Sequence, residues 1–183
     1  EPGPAGLLGG RTGGAWLNCT KALEMSLYNG TDPRTGICLH PNKNGKNLAS
    51  FENFEEVKEA YKDQLRYYIK MEAILENTID QLWEEHMNEP MTSVFGCPTT
   101  TLERGKTFKQ GGAKYDFTGQ QTIGTANIAN SLYAVKKLVF DDKKLTGAQL
   151  KHALETNFQD MESRPTGPQI QALCKGVEKY GND

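Results

Sequence analysis

The chain has 183 residues, 37% of them hydrophobic, which is enough to fill the core of one domain. Its formal net charge of -2 gives no electrostatic reason to expect nucleic acid or an anionic membrane as a partner. No run approaches the length of a membrane-spanning helix, and the first residues lack the basic-then-apolar pattern of a signal peptide.

The first elements in chain order are predicted to be a loop and a helix. Residues Glu1 to Gly14 carry six glycines and two prolines, which predicts a loop rather than a regular element. From Trp16 to Asn29 the apolar residues recur at helical spacing, and Gly30 comes next, in the C-terminal cap position. The stretch from Thr31 to Ala49 is rich in Asn, Gly, Pro and Lys and is predicted to be a loop.

A long helical pattern comes next, from about Ser50 to His86, as one helix or two abutting ones, and Ser50 with Asn53 can cap its start. At roughly 1.5 Å per residue such a helix exceeds about 50 Å, so we expect it to lie against a larger body. Pro90 ends the pattern, and Met91 to Lys109 is predicted to be an irregular connection.

The most informative run extends from Gly111 to Phe140. Alternation of apolar and polar residues from Ala113 to Thr118 predicts a short strand, and a polar turn with glycines at both ends comes after it. Ile128 then begins an apolar stripe at helical spacing. A strand, a glycine turn and a helix in succession indicate an α/β sheet. Two short helices are predicted behind it, each with a capping box, at Thr146 and Thr166.

No ligand pattern for a metal is present in the sequence. His40 is a lone histidine without a second ligand at metal spacing. The four cysteines form no CxxC pair, which predicts free thiols in a reducing compartment.

The run GGAKYDFTGQQTIGTANIANSLYAVKKLVF resembles a segment of the glycyl radical enzymes, the pyruvate formate-lyase-like superfamily. Two further stretches are similar to that family. Glu1-Pro2, together with WLNCTKALEMSLYNG at Trp16 to Gly30, resembles the segment after the family's thiyl-radical cysteine, and KYGND at Lys179 to Asp183 resembles the link to its glycyl radical domain. The resemblance spans nearly the whole chain.

The resemblance implies an α/β fold that is part of the family's ten-stranded barrel, predominantly helical in this piece. Residues 1–183 are then an internal fragment of one catalytic domain. The catalytic cysteine is expected two residues before Glu1 and the radical glycine after Asp183. We therefore expect the isolated piece to be inactive.

The resemblance also implies the site residues. Glu1 is the expected catalytic carboxylate beside the thiyl radical, placed to take or give a proton, a task that suits a carboxyl whose pKa burial raises. Arg11 and Thr12 are expected to bind substrate, the arginine as a bidentate partner for a carboxylate. Phe117, Gln120 and Gln121 are the expected pocket residues of the turn.

The implied reaction is that of a dehydratase or decarboxylase-type lyase acting on a small organic substrate. A separate radical S-adenosylmethionine activase would install the glycyl radical, and the parent would be a homodimer in an anaerobic cytoplasm. No metal or organic cofactor is expected in this chain. Gly13 stands where polyol-dehydrating relatives have an aspartate, which counts against glycerol or propanediol, and Gln120 replaces the family's usual proline.

Two alternatives stay open at this point. One is addition to fumarate of the benzylsuccinate-synthase type, in which Arg11 would hold a carboxylate. The other is a non-catalytic helical interaction module, in which the long helix from Ser50 to His86 would bind a partner.

Overall fold

A computed structural model describes residues 8–11, 14–86, 98–107 and 110–181, of which residues 8–11, 98, 99 and 116 are described by their backbone alone. These residues are mostly helical, with two small sheets. In chain order the elements are β1 Leu8–Arg11, β2 Trp16–Asn18, α1 Cys19–Leu27, α2 Phe54–His86, α3 Pro98–Arg104, β3 Tyr115–Thr118, β4 Gln121–Ile123, α4 Thr125–Val135, a π-helical segment Lys136–Asp141, α5 Gly147–Glu155 and α6 Gly167–Lys175.

The chain forms two compact units. The first combines the described residues up to Leu17 with those of Ile69–Thr122, and the second combines Asn18–Tyr68 with the described residues from Ile123 onward. The helix α2 therefore contributes its first half to the second unit and its second half to the first unit.

The second unit has an apolar core. Its helix α1 contacts α4, and α5 contacts α6. The stripe predicted from Ile128 onward is confirmed, because Ile128, Val135 and Leu138 are buried. The other buried apolar side chains of this core come from α1, the loop after it, the start of α2 and the two last helices: Ala22, Leu23, Met25, Leu27, Leu48, Phe51, Val57, Ala60, Leu145, Leu150, Ala153, Ile170 and Val177.

Helix α1 begins later than its spacing predicts. Trp16 to Asn18 form strand β2, and the Asn18 side chain accepts a hydrogen bond from the Lys21 backbone at 3.1 Å, so Asn18 is the N-cap. The helix also ends earlier than predicted, at Leu27 with Tyr28 as its C-cap. Gly30, at φ +73°, follows two residues after that cap, and its N–H donates to the Met25 carbonyl at 2.7 Å.

The loop after α1 is held by one buried side chain. Asn42 is 3% exposed, and its amide nitrogen donates to the Ser26 and Lys46 carbonyls at 2.7 and 2.8 Å. Its side-chain oxygen accepts from Gln64 of α2 at 3.0 Å. Because all these groups are polar and enclosed, each bond that Asn42 makes removes an unpaired buried group.

Helix α2 is one continuous helix of 33 residues. Asn53 accepts from the Glu56 backbone at 3.0 Å and caps its start, whereas Ser50 bonds to Asn47 instead. The residues at helical spacing that predict this helix are buried only in part. Among them Val57 is fully buried, whereas Leu75 and Leu82 are exposed. Met71 and Ile74, which lie outside that spacing, are exposed as well, each by at least 38%.

Three predictions that involve the first unit are wrong. Gln121–Ile123 forms strand β4 within the segment predicted to be a polar turn. Residues Leu8–Arg11, predicted to be loop, form strand β1, which pairs in parallel with β3 in the register Leu8 with Tyr115 and Arg11 with Thr118. Pro98–Arg104 forms helix α3 within the predicted irregular connection. Glycine weakens a strand but does not exclude one. The backbone hydrogen bonds of β1 go to a partner strand that is distant in the sequence, so local composition does not predict them.

The side chains that the structure buries in the first unit are largely polar. Glu76, Thr100, Thr101 and Thr107 are each at most 8% exposed, and Ala113 is the buried apolar residue among those described there. Large apolar side chains of the same unit, such as Phe117 at 60% and Leu102 at 66%, are exposed.

No helix in the described ranges is long and apolar enough to cross a membrane. Among the described cysteines, Cys19, Cys38 and Cys174 form no disulfide, while Cys97 lies outside the described residues.

Replacing Gly30 with alanine should destabilise the protein far more than replacing Gly36. Both glycines have φ +73°, so the backbone cost of about 1 kcal/mol is shared. At Gly30 an added Cβ would lie 1.8 Å from the His40 carbonyl oxygen, whereas at Gly36 it would meet nothing within 4 Å. Urea unfolding should show a loss of more than about 3 kcal/mol for Gly30→Ala. Equal losses for the two variants would contradict the close approach.

Asp32 should make stability depend on pH in the acid range. A hydrogen bond from Lys21 at 2.8 Å and one from the Arg34 backbone lower the pKa of Asp32 from 3.8 to about 2. The pKa of Asp32 is lower in the folded state than in the unfolded state. The stabilisation that Asp32 provides is therefore complete above about pH 4 and is lost as the pH falls towards 2. Urea unfolding of wild type and Asp32→Asn should therefore converge on acidification. In a Lys21→Met background, the stability difference that Asp32→Asn causes should be much smaller. A stability difference between wild type and Asp32→Asn that does not change with pH would contradict the ion pair.

Candidate functional site

The turn between β3 and β4 gathers the described residues that the sequence places at the site. The parallel register sets the backbone of Gly10 beside Phe117 and that of Arg11 beside Thr118. Just beyond the pair, the Gly14 N–H donates to the Gly119 carbonyl at 3.0 Å, and the Gln121 N–H donates to the Ala15 carbonyl at 3.2 Å. Strand β2 then pairs with β4.

The structure describes only some of the predicted site residues. Phe117 is 60% exposed, and Gln120 and Gln121 are exposed on the same turn. Arg11 is described by its backbone in β1, which the register brings to this turn. Glu1 and Thr12 lie outside the described residues.

A row of three carboxylates on α2 lies against this turn. Glu72, Glu76 and Asp80 are four residues apart and therefore share one side of the helix; we call them the carboxylate face. The Thr118 hydroxyl donates to Asp80 at 3.2 Å. With the Gln120 amide oriented so that its nitrogen, not its oxygen, faces Glu72, that nitrogen donates to the two Glu72 oxygens at 2.5 and 3.3 Å. Asp80 and Glu72 thereby hold the two ends of the turn.

Glu76 lies between these two contacts and is 3% exposed. A Cβ added at Gly14 would lie 2.8 Å from the Thr118 methyl carbon and 3.1 Å from a Glu76 carboxylate oxygen. The glycine thus lets the backbone approach both side chains closely. Gly14 is therefore part of the site for a steric reason that composition alone does not reveal.

The electrostatics of the carboxylate face are unusual for a helix surface. Burial raises the pKa of the Glu72 carboxyl, while an amide donor such as Gln120 acts in the opposite sense by favouring the charged form. Like charges four residues apart on a helix also repel. Burial and the neighbouring carboxylate both act against the charged form of Glu72.

The carboxylate face is the part of the site that the sequence reasoning missed. Helical spacing places Glu72 in the packing stripe of α2 with Leu75 and Leu82, which are exposed here. The signal that could have revealed the face is the repeat Glu-x-x-x-Glu-x-x-x-Asp on one helix.

A second polar cluster lies in the second unit, around His40. Its Nε2 lies 3.1 Å from Asp63, Lys43 lies 2.9 Å from the same carboxylate, and the ring stacks on Tyr67 at 4.5 Å. Burial would raise the pKa of Asp63, but the hydrogen bonds from Lys43 and His40 outweigh it and lower that pKa. Within the described ranges no three His, Cys, Asp or Glu residues are placed to hold a metal ion. The contacts of His40 and Lys43 with Asp63 tie the loop to α2.

An open cavity of about 880 Å³ lies in the second unit, and its wall combines apolar side chains such as Leu23 and Val135 with charged ones such as Asp32, Arg34 and Glu155. Burial raises the pKa of Tyr28 in the same wall to about 12 and raises that of the Cys174 thiol. Both groups are therefore neutral near pH 7, and Cys174 is not a reactive thiolate.

The fold and site together are those of an α/β protein whose polar side chains collect where parallel strands end. A sequence model of the family described as pyruvate formate lyase-like matches residues 1–183, and the chain belongs to this family.

Relatives of known name agree with this assignment. The chain is 37% identical over 175 residues to a protein of Escherichia coli K12 named "Probable dehydratase YbiW", covering 94% of this chain and 21% of the relative. It is 30% identical over 162 residues to the 4-hydroxyphenylacetate decarboxylase glycyl radical subunit of Clostridioides difficile CD196, covering 88% and 17%. The chain thus spans about a fifth of the length of the relatives it matches.

A solved structure with the same fold is the glycerol-bound form of the B12-independent glycerol dehydratase from Clostridium butyricum. The TM-score is 0.82 at 33% identity, over 97% of this chain and 21% of that one. The sequence-based prediction of a piece of a glycyl radical enzyme is confirmed at the level of the family.

Proposed function

We propose that this chain is part of a glycyl radical lyase that eliminates water, an amine or CO2 from a small organic substrate. The observation that carries the proposal is the match of all 183 residues to the pyruvate formate lyase-like family, together with relatives named as dehydratases and as a glycyl radical decarboxylase subunit. The chemistry would begin when a cysteine thiyl radical of the parent removes a hydrogen atom from substrate carbon.

In this proposal Glu1 moves the proton that accompanies departure of the leaving group. Arg11 and Thr12 bind polar groups of the substrate, and the turn with Phe117, Gln120 and Gln121 forms part of the pocket wall. The parallel pairing of β1 with β3 supports this grouping, because it brings a strand of the glycine-rich segment to the turn. The direction of proton transfer depends on the substrate.

The larger setting is part of the proposal. Strands β1 and β3 would belong to a ten-stranded barrel within one catalytic domain that includes residues 1–183. The apolar side chains exposed on the second half of α2 support a larger body around this piece, since contiguous exposed apolar surface marks an interface.

The parent would hold a glycyl radical, installed by a radical S-adenosylmethionine activase. It would work as a homodimer in an anaerobic cytoplasm. The radical glycine and the cysteine would supply the one-electron chemistry, and residues of this chain would bind substrate and move protons.

The two alternatives are less favoured. Addition to fumarate is not favoured, because the relatives are named as dehydratases and other lyases. A free-standing helical module does not account for relatives that match across 92% and 94% of the chain and are themselves enzymes.

The parent protein should carry a glycyl radical when expressed without oxygen together with its activase. Electron paramagnetic resonance should show the doublet of a glycyl radical, and the same protein without activase should not. A parent that shows no doublet after activation would contradict the proposal.

Replacing Glu1 by glutamine should keep the radical and lower kcat by about a hundredfold or more, because it removes a proton-transfer group. The exposed Glu103→Gln is the matched control and should leave kcat unchanged. Full turnover by Glu1→Gln would contradict the role of Glu1 while leaving the radical assignment intact.

A further inference from the structure

We propose that Glu72 is a positioning residue: through Gln120 it fixes the turn that the proposed function places at the substrate. The inference rests on the proposed function for what the turn faces. Its geometric basis is the pair of hydrogen bonds from the Gln120 amide to Glu72, at 2.5 and 3.3 Å. A bond from an amide to a carboxylate is about twice as strong as a neutral one, so this contact restrains the turn more than a neutral pair would.

The side-chain bonds act at both ends of the turn. Glu72 holds Gln120 and Asp80 holds Thr118, and the two carboxylates are eight residues apart on one helix. At about 1.5 Å per residue the two anchors are about 12 Å apart along α2. Two anchors on a rigid helix fix the turn in both position and direction, whereas the backbone bonds to Gly14 and Ala15 connect it to the segment after β1.

Holding the turn in this way has a free-energy cost. Glu72 is a carboxylate whose pKa is raised by burial, and it shares its face with Glu76 and Asp80. Partial burial of the Glu72 carboxylate carries a desolvation cost, which an apolar or amide side chain at this position would avoid. A residue that breaks the local rule at a suspected site is typical of functional demand.

The consequence is a division of labour within the turn. The Gln120 side chain is engaged by Glu72, so it acts on substrate through the shape of the turn. Phe117 and Gln121 are exposed on the same turn and are the side chains presented outward. Glu72 would then set where these two side chains lie without contacting substrate itself.

The test uses the activated parent and three variants: Glu72→Gln, Gln120→Glu and the double variant that carries both substitutions. Gln120→Glu sets two carboxylates against each other, and KM should rise about tenfold, while Glu72→Gln should raise it about threefold. The double variant again has one amide facing one carboxylate, so its KM should return to within about threefold of the wild-type value. The exposed Glu84→Gln on the same helix is the matched control.

The readouts separate positioning from a structural role. Glycyl radical content should change by less than about threefold in all variants, because neither residue takes part in forming the radical, and the loss should appear in KM. A structural role would lower the active fraction and leave KM unchanged. Substrate classes to be assayed are a diol (glycerol), an arylacetate (4-hydroxyphenylacetate), a hydroxylated amino acid and a hydroxyalkyl sulfonate.

Amide hydrogen exchange of residues 118–123 in the unactivated parent gives an independent measure. The hydrogen exchange rate should rise in both single variants and return towards the wild-type rate in the double variant. If wild type shows no radical, the proposed function fails. The amide hydrogen exchange rates then decide whether the Glu72–Gln120 contact holds the turn. If wild type is active but KM is unchanged in Gln120→Glu, the positioning role is overturned while the proposed function stands. The same holds if KM of the double variant does not return towards the wild-type value.

Discussion

The structure of the first unit depends on the contact between the carboxylate face of α2 and the turn after β3. Asp80 and Glu72 hold the turn at Thr118 and Gln120, and the backbone of Gly14 closely approaches the side chains of Thr118 and Glu76. The contact is polar and half-buried, and it is made by side chains of the helix and of the turn. One helix face therefore determines where the strand ends meet.

The two units of the chain are stabilised in different ways. The second unit buries aliphatic side chains from several helices and ties its long loop down through Asn42. In the first unit the described buried side chains are mainly threonines and Glu76, while Phe117 and Leu102 are exposed. Burial of apolar surface is the main favourable term in folding. The described part of the first unit therefore gains little from it, which is consistent with a piece that is completed by the rest of a larger enzyme.

Local patterns in the sequence predicted much of this fold. The period change from Ala113 to Ile128 indicated the strand, turn and helix, and the capping box at Thr146 is present with both of its hydrogen bonds. These features depend on residues within a few positions of each other. The same run also carried the resemblance that the family match confirms.

The features that the sequence did not predict depend on partners far along the chain. Strand β1 forms because Tyr115 to Thr118 offer a parallel partner, although its own glycines suggest a loop. Asn18 ends a strand and caps a helix, so a single helical pattern from Trp16 is misleading. Glu72 has the spacing of a packing position, and only the turn against it shows its partner. A charge that matters because of its tertiary partner has no local signature beyond its spacing.

The central claim is that this turn and the carboxylate of Glu1 serve one substrate. A structure of the whole enzyme with substrate bound tests it most directly. The prediction is that side chains of Phe117 and Gln121 and the Glu1 carboxylate all lie within about 4 Å of the substrate, with Gln120 still bonded to Glu72. A substrate bound elsewhere, with the turn covered by protein on every side, would contradict it.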